Sequence, residues 1–147
     1  MKIAIGSDHR GLELKQKVIK LVTDAGNEYK DFGAYSEARV DYPNIAEAVG
    51  KAVVSGQYDR GILICGTGIG MCIAANKVKG IRAGLAVNEF MALRSRQHND
   101  ANILCLGARI ISWETAAEIV TTFLTTPFSG GERHMCRIQK IHSLTGL

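Results

Sequence analysis

No apolar run in the chain is long enough to span a bilayer, which excludes a bundle of membrane-crossing helices. Its four cysteines, Cys65, Cys72, Cys105 and Cys136, form no CxxC pair and show no zinc-type spacing, so free thiols and no metal are expected. Aromatic residues are scarce and no long basic run interleaves with them. A nucleic-acid surface is therefore a poor fit, despite a formal net charge of +4. There are only two prolines, Pro43 and Pro127, and no repeat or low-complexity linker, so residues 1–147 are expected to form one domain with its own core. The opening MKIAIGSDHRG has a single lysine and soon turns polar. It reads as a first strand and not a secretory signal, which makes the cytoplasm the expected compartment.

What the chain does contain is one pattern repeated: a short apolar run, a glycine-rich turn, then an amphipathic helix. Strands are predicted at 2–5, 28–33, 61–65, 81–87 and 102–108. Helices are predicted at 12–26, 42–56, 68–80, 89–99, 112–125 and 131–144, with Pro43 near the start of the second and Ser112 capping the fifth. Such alternation implies an α/β fold, a parallel sheet covered on both faces. Ligands of these sheets bind outside the carboxyl ends of the strands, so GSDH, CGTGIG and GAR become the loops of interest.

CGTGIG, residues 65–70, lets a backbone approach a ligand closely, and a helix starting near Ile69 would favour an anion there. It is not a familiar phosphate loop, because it lacks the lysine and hydroxyl of GxxxxGK[ST] and the spacing of GxGxxG. A cysteine phosphatase would carry an arginine six positions after Cys65, where Met71 stands. By position alone, Cys65 is more often a small buried hydrophobe than a nucleophile, but the bare loop beside it favours a reactive thiol. Cys72 and Cys105 read as structural and Cys136 as incidental. Asp8 is a candidate cap, whereas His9 has no structural excuse. His98 and Asn99 end a helix, where a histidine caps the dipole and an asparagine can take the left-handed conformation. Arg109 ends the fifth strand, and Arg133 and Arg137 share a helix face suited to gripping one phosphate. On this reading Cys65, Thr67, His9, His98 and the arginines gather at the ligand end of the sheet, a set that fits proton transfer on a phosphorylated sugar.

IGSDHRG, DYP, GILICGTGIGM, AANKVKGIRA, RQHNDANILCLGAR and TPFSGGERH, in this order along nearly the whole chain, resemble the ribose-5-phosphate isomerase B family, which also includes galactose-6-phosphate and allose-6-phosphate isomerases. The resemblance implies a Rossmann-like three-layer sandwich with a five-stranded parallel sheet. It implies interconversion of ribose 5-phosphate and ribulose 5-phosphate with no cofactor or metal. It also implies a homodimer, sometimes a tetramer, whose sites are completed by the neighbouring subunit, with the C-terminal helix contributing. Carried over by motif, Cys65 is the base, and Gly66, Thr67, Gly68, Ile69 and Gly70 form the anion hole. His98 assists ring opening, with Thr67 at the same end. Asp8, His9 and Asn99 contact the sugar, and Tyr42 lines the site. Arg109, Arg133 and Arg137, with His9 and His134, hold the phosphate. Keeping Cys65, with no acid in MCIAANKVKG, indicates the cysteine branch of the family. The competing expectations are a six-carbon sugar-phosphate isomerase, a non-catalytic sugar-phosphate binding module and a thiol hydrolase.

Overall fold

The computed structural model describes residues 1–147. Five strands, β1 (Lys2–Ser7), β2 (Glu28–Asp31), β3 (Arg60–Cys65), β4 (Ala83–Leu85) and β5 (Ile103–Gly107), form one sheet in the order β2-β1-β3-β5-β4, every pair parallel. Six helices connect and flank them: α1 (Leu12–Asp24), α2 (Tyr42–Val54), α3 (Ile69–Ala75), α4 (Glu89–Asn99), α5 (Trp113–Thr125) and α6 (Glu132–Thr145). The expected α/β three-layer architecture is thus present.

The layers follow from the period of two along each strand. Ile3 and Ile5, Ile62 and Ile64, and Leu104 and Leu106 pack with α1, α4 and α5. Ala4, Leu63, Cys65, Ile103 and Cys105 face the other way and pack with α2 and α3. Both faces are covered, so the strands read as continuous apolar runs, as a parallel sheet requires. The chain runs outward from β1 to β2 and then returns to β3 on the other side of β1. The carboxyl ends of β1 and β3 therefore flank the topological switch point, where such sheets leave a crevice.

Some predicted boundaries shift, each for a local reason. The third helix was expected over 68–80 but ends at Ala75. The Asn76 side chain folds back, donating to the carbonyls of Cys72 (2.9 Å) and Ala83 (3.0 Å) and accepting from the Ala83 N–H (2.9 Å), so it ties the helix end to β4. β4 is three residues long, not seven, because it is an edge strand paired on one side only. The left-handed residue ending α4 is Asp100 (φ 45°), not Asn99. The buried Arg96 holds it there, donating to Asp100 Oδ1 (2.8 Å) and to the carbonyls of Ala101 (2.6 Å) and Thr126 (3.1 Å), and so fastens α4 to the start of β5 and the end of α5. Lys15, also fully buried, pairs with Asp31 at 2.7 Å and donates to the Ala34 carbonyl, which fixes the loop after β2 beside the carboxyl end of β1.

Candidate active site

At the switch point, β1 delivers Asp8 and β3 delivers Cys65. Asp8 Oδ1 accepts from the N–H groups of Arg10 (2.9 Å) and Gly11 (3.0 Å), capping a single 3-10 turn, His9–Gly11. That bond sets the direction of His9, whose Nδ1 accepts from the Val40 N–H at 3.4 Å, leaving Nε2 to carry the hydrogen. The Cys65 side chain is buried, 5% exposed, and its Sγ accepts from the Gly68 N–H at 3.1 Å. The loop is held in a form only glycine tolerates. Gly68 has φ of 80°, and a Cβ there would lie 2.5 Å from Leu85 Cδ1 and 2.9 Å from the Leu106 carbonyl carbon. A Cβ on Gly70 would lie 2.6 Å from Tyr42 Cζ, because the Tyr42 ring closes over this glycine. The Thr67 hydroxyl accepts from the Ile69 N–H at 3.2 Å, so its polar end shapes the loop. The N–H groups of Gly66, a buried residue, and Thr67, an exposed one, donate to no protein acceptor, which leaves both open to a ligand. Arg109 joins from the end of β5, its N–H bonded to the Gly66 carbonyl at 2.9 Å and its side chain exposed.

A second cluster lies elsewhere. His98 and His134 stack at 4.2 Å between ring centres with 13° between planes. Arg94 Nη1 sits 3.5 Å from His98 Nε2 and donates to Gln97 Oε1 at 2.9 Å, and Ser129 Oγ donates to the Gln97 carbonyl at 2.6 Å, bringing the start of α6 against the end of α4. Burial, then the facing His98 and the guanidiniums of Arg133 and Arg137, hold His134 below the usual imidazole range. Arg133 and Arg137 are exposed and pair with no carboxylate; Asn99 is exposed too.

The two clusters stand at opposite ends of the sheet. α4 runs back from the carboxyl end of β4 and ends before β5 begins, and the Asn99 carbonyl accepts from Arg82 Nε (3.0 Å), one residue ahead of β4. Gly61 is in register with Ile103 and Cys65 with Gly107, so the two ends are about 13 Å apart at the usual strand rise. The expectation that His98 meets Thr67 and Cys65 at one end is therefore corrected for a single chain. Asp8, His9, Tyr42, Cys65, the 66–70 loop and Arg109 come together. His98, Asn99, Arg133, His134 and Arg137 gather below. A signal for this was in the sequence, since a helix that feeds a parallel strand must end at that strand's amino end.

A model of the ribose/galactose isomerase family matches residues 3–141. The chain belongs to that family. Ribose-5-phosphate isomerase B of Escherichia coli is 45% identical over 143 residues, 97% of this chain and 95% of the relative. The D-erythrulose-4-phosphate isomerase of Pectobacterium atrosepticum is 41% identical over 133 residues, 89% of this chain and 87% of the relative. The solved structure of the Clostridium thermocellum ribose-5-phosphate isomerase B superposes with a TM-score of 0.97 at 50% identity, covering 99% of this chain and 98% of that one. The chain is thus an isomerase, and its fold matches solved members of the family closely.

Two features of this family member were not legible from motifs. Arg10 lies beside Gly66 together with Arg109. Cys72, read as structural, donates to the Ala83 carbonyl at 3.5 Å and accepts from Asn76 Nδ2 at 3.6 Å, and the neighbouring Cys105, then the Leu85 backbone and Asn76, lower its thiol to about 7 against the opposing effect of burial. No group of three or more His, Cys, Asp and Glu side chains converges closely enough to hold a metal ion, and no helix is long and apolar enough to cross a membrane.

Proposed function

We propose that the chain interconverts D-ribose 5-phosphate and D-ribulose 5-phosphate through a cis-enediolate, in a site built by two copies of the chain. The observation that carries this reading is the pairing of the Cys65 thiol with two free backbone donors, Gly66 and Thr67, at the switch point. Cys65 as thiolate takes the proton from C2 of the open-chain aldose. The electron pair moves onto the carbonyl oxygen, and the N–H groups of the loop stabilise that oxyanion, each contributing about 3 to 4 kcal/mol to the transition state. The O2 hydroxyl proton passes to O1, and the Cys65 thiol returns its proton to C1, on the same face of the enediolate, so that O2 becomes the ketone oxygen and O1 the new hydroxyl. Asp8, His9 and Tyr42 orient the sugar.

His98 is the acid that assists opening of the furanose ring, but it lies far from Cys65 in its own chain. A second copy, related by a twofold axis, brings its His98 and Asn99 to the sugar and its α6, with Arg133, His134 and Arg137, to the phosphate opposite Arg109. The decisive experiment mixes two inactive variants, Cys65→Ala and His98→Asn, and lets subunits exchange. A composite site predicts recovery of about a quarter of the wild-type activity, since half of the dimers are mixed and each has one intact site. No recovery, with exchange verified by mass spectrometry, would refute the shared site.

The length of the sugar is open to a second reading, because a relative this similar is named for a four-carbon substrate. Comparing kcat/KM on four-, five- and six-carbon sugar phosphates decides between them, with the five-carbon substrate expected to lead. Labelling in deuterated water separates both from a non-catalytic binding module, which would leave the sugar unlabelled.

A further inference from the structure

We infer that Arg10 is a further phosphate-binding residue, acting beside Arg109 to set the preference for phosphorylated sugars; this deepens the isomerase reading above and rests on it. Arg10 is anchored by the capped turn that follows β1, with its backbone N–H on Asp8 Oδ1. From there its side chain crosses the end of β3. Its Cδ lies 3.5 Å, and its Nη1 4.0 Å, from the point a Cβ on Gly66 would occupy, and Arg109 Cδ lies 3.7 Å from that same point. Two guanidinium stems, from two different loops, therefore enclose one glycine.

Nothing in the chain neutralises them. Asp8 is spent on the backbone of its own turn, and the nearby acid on α1, Glu13, pairs with Lys17 at 3.3 Å. Two like charges brought together without a counter-ion repel, and an anion between them reverses the sign. The direction is also informative. Successive residues of an extended strand point to opposite faces, so the Cys65 thiol faces α2 and α3 while the Gly66 position faces the α1 and α5 side. The arginines thus stand off the reacting carbons, as a grip on the far end of the substrate should. Each guanidinium is a planar, multi-donor group suited to a dianionic phosphoryl group.

The test uses the full-length protein and the variants Arg10→Ala and Arg10→Lys. Kinetics on ribose 5-phosphate are combined with calorimetric binding of inorganic phosphate. Arg10→Ala is expected to raise KM for ribose 5-phosphate and weaken phosphate binding, each by about tenfold, the loss of one charge-assisted contact, with kcat changed less than about twofold. Arg10→Lys should recover part of both, and neither variant should shift the melting temperature. Unchanged KM and phosphate affinity in Arg10→Ala would overturn the inference, as would a fall in kcat alone. If the wild type fails to isomerise ribose 5-phosphate while phosphate affinity still drops in Arg10→Ala, the substrate reading fails and the anion site stands. If the wild type isomerises and the variant binds and turns over as before, the anion site fails alone.

Discussion

The carboxyl end of the sheet and the end carrying the stacked histidines solve opposite problems. At the carboxyl end, much of the site is backbone and short side chains, locked by the chain itself: Asp8 caps its own turn, Cys65 accepts from Gly68, and Tyr42 lies on Gly70. At the other end the groups are long, cationic and largely unpaired, with Arg133 and Arg137 free in solvent beside the His98–His134 stack. The difference teaches that the carboxyl end is locked by folding, whereas the other end keeps long cationic groups that nothing in the chain pairs. Substitutions in the backbone-locked loop of the first region should cost stability as well as rate. Those in the second should cost binding while leaving the fold intact.

The sharpest way to break that contrast starts with Cys65→Ala. We expect kcat to fall by about a thousandfold or more, within the range for a lost general base, with ribose 5-phosphate still bound in equilibrium titration. Retained turnover would remove Cys65 from the chemistry. Next in size is Gly68→Ala, where the left-handed backbone and a Cβ 2.5 Å from Leu85 give a strained loop. A stability loss of about 2 kcal/mol is expected in urea unfolding, together with reduced kcat. In the second region, Arg137→Ala should raise KM by about tenfold with the unfolding midpoint unchanged; a stability loss matching that of Gly68→Ala would erase the distinction.

The smallest effect is a pH dependence. His134 is held below its usual range by burial, and then by His98, Arg133 and Arg137, with Arg94 flanking the stack on α4. The unfolded chain therefore takes up this proton more readily than the folded one. The contribution of His134 is complete above the ordinary imidazole value of 6.5 and is lost as pH falls through it toward the lowered one. His134→Gln should flatten the fall in melting temperature between neutral and mildly acid pH, leaving the neutral value nearly unchanged. An unaltered acid slope would count against the burial argument.

Much of this was legible beforehand. β1, β3 and β5 stood out as apolar runs closed by glycine-rich turns, and α5 announced itself through Ser112, whose hydroxyl accepts from the Thr115 N–H at 3.2 Å. The 65–70 loop was visible as a site because so many glycines after an apolar strand are costly without a use. Less visible was anything decided by a neighbour distant in sequence. Asn76 stops α3 because β4 lies within reach, Asp100 and not Asn99 turns left-handed because Arg96 grips it, and Arg10 matters because Gly66 and Arg109 are beside it.

The order of apolar, glycine-rich and amphipathic segments determined by itself that the protein is a parallel α/β sheet, and that Cys65 stands at a strand end before a bare loop, because strand and helix periods are local properties of the chain. Only the tertiary structure decided that the strands run β2-β1-β3-β5-β4, that Cys65 sits beside the switch point, and that His98 lies toward the other end of the sheet. Strand order and helix placement come from burying two apolar faces at once, and that balance is struck between residues far apart in sequence.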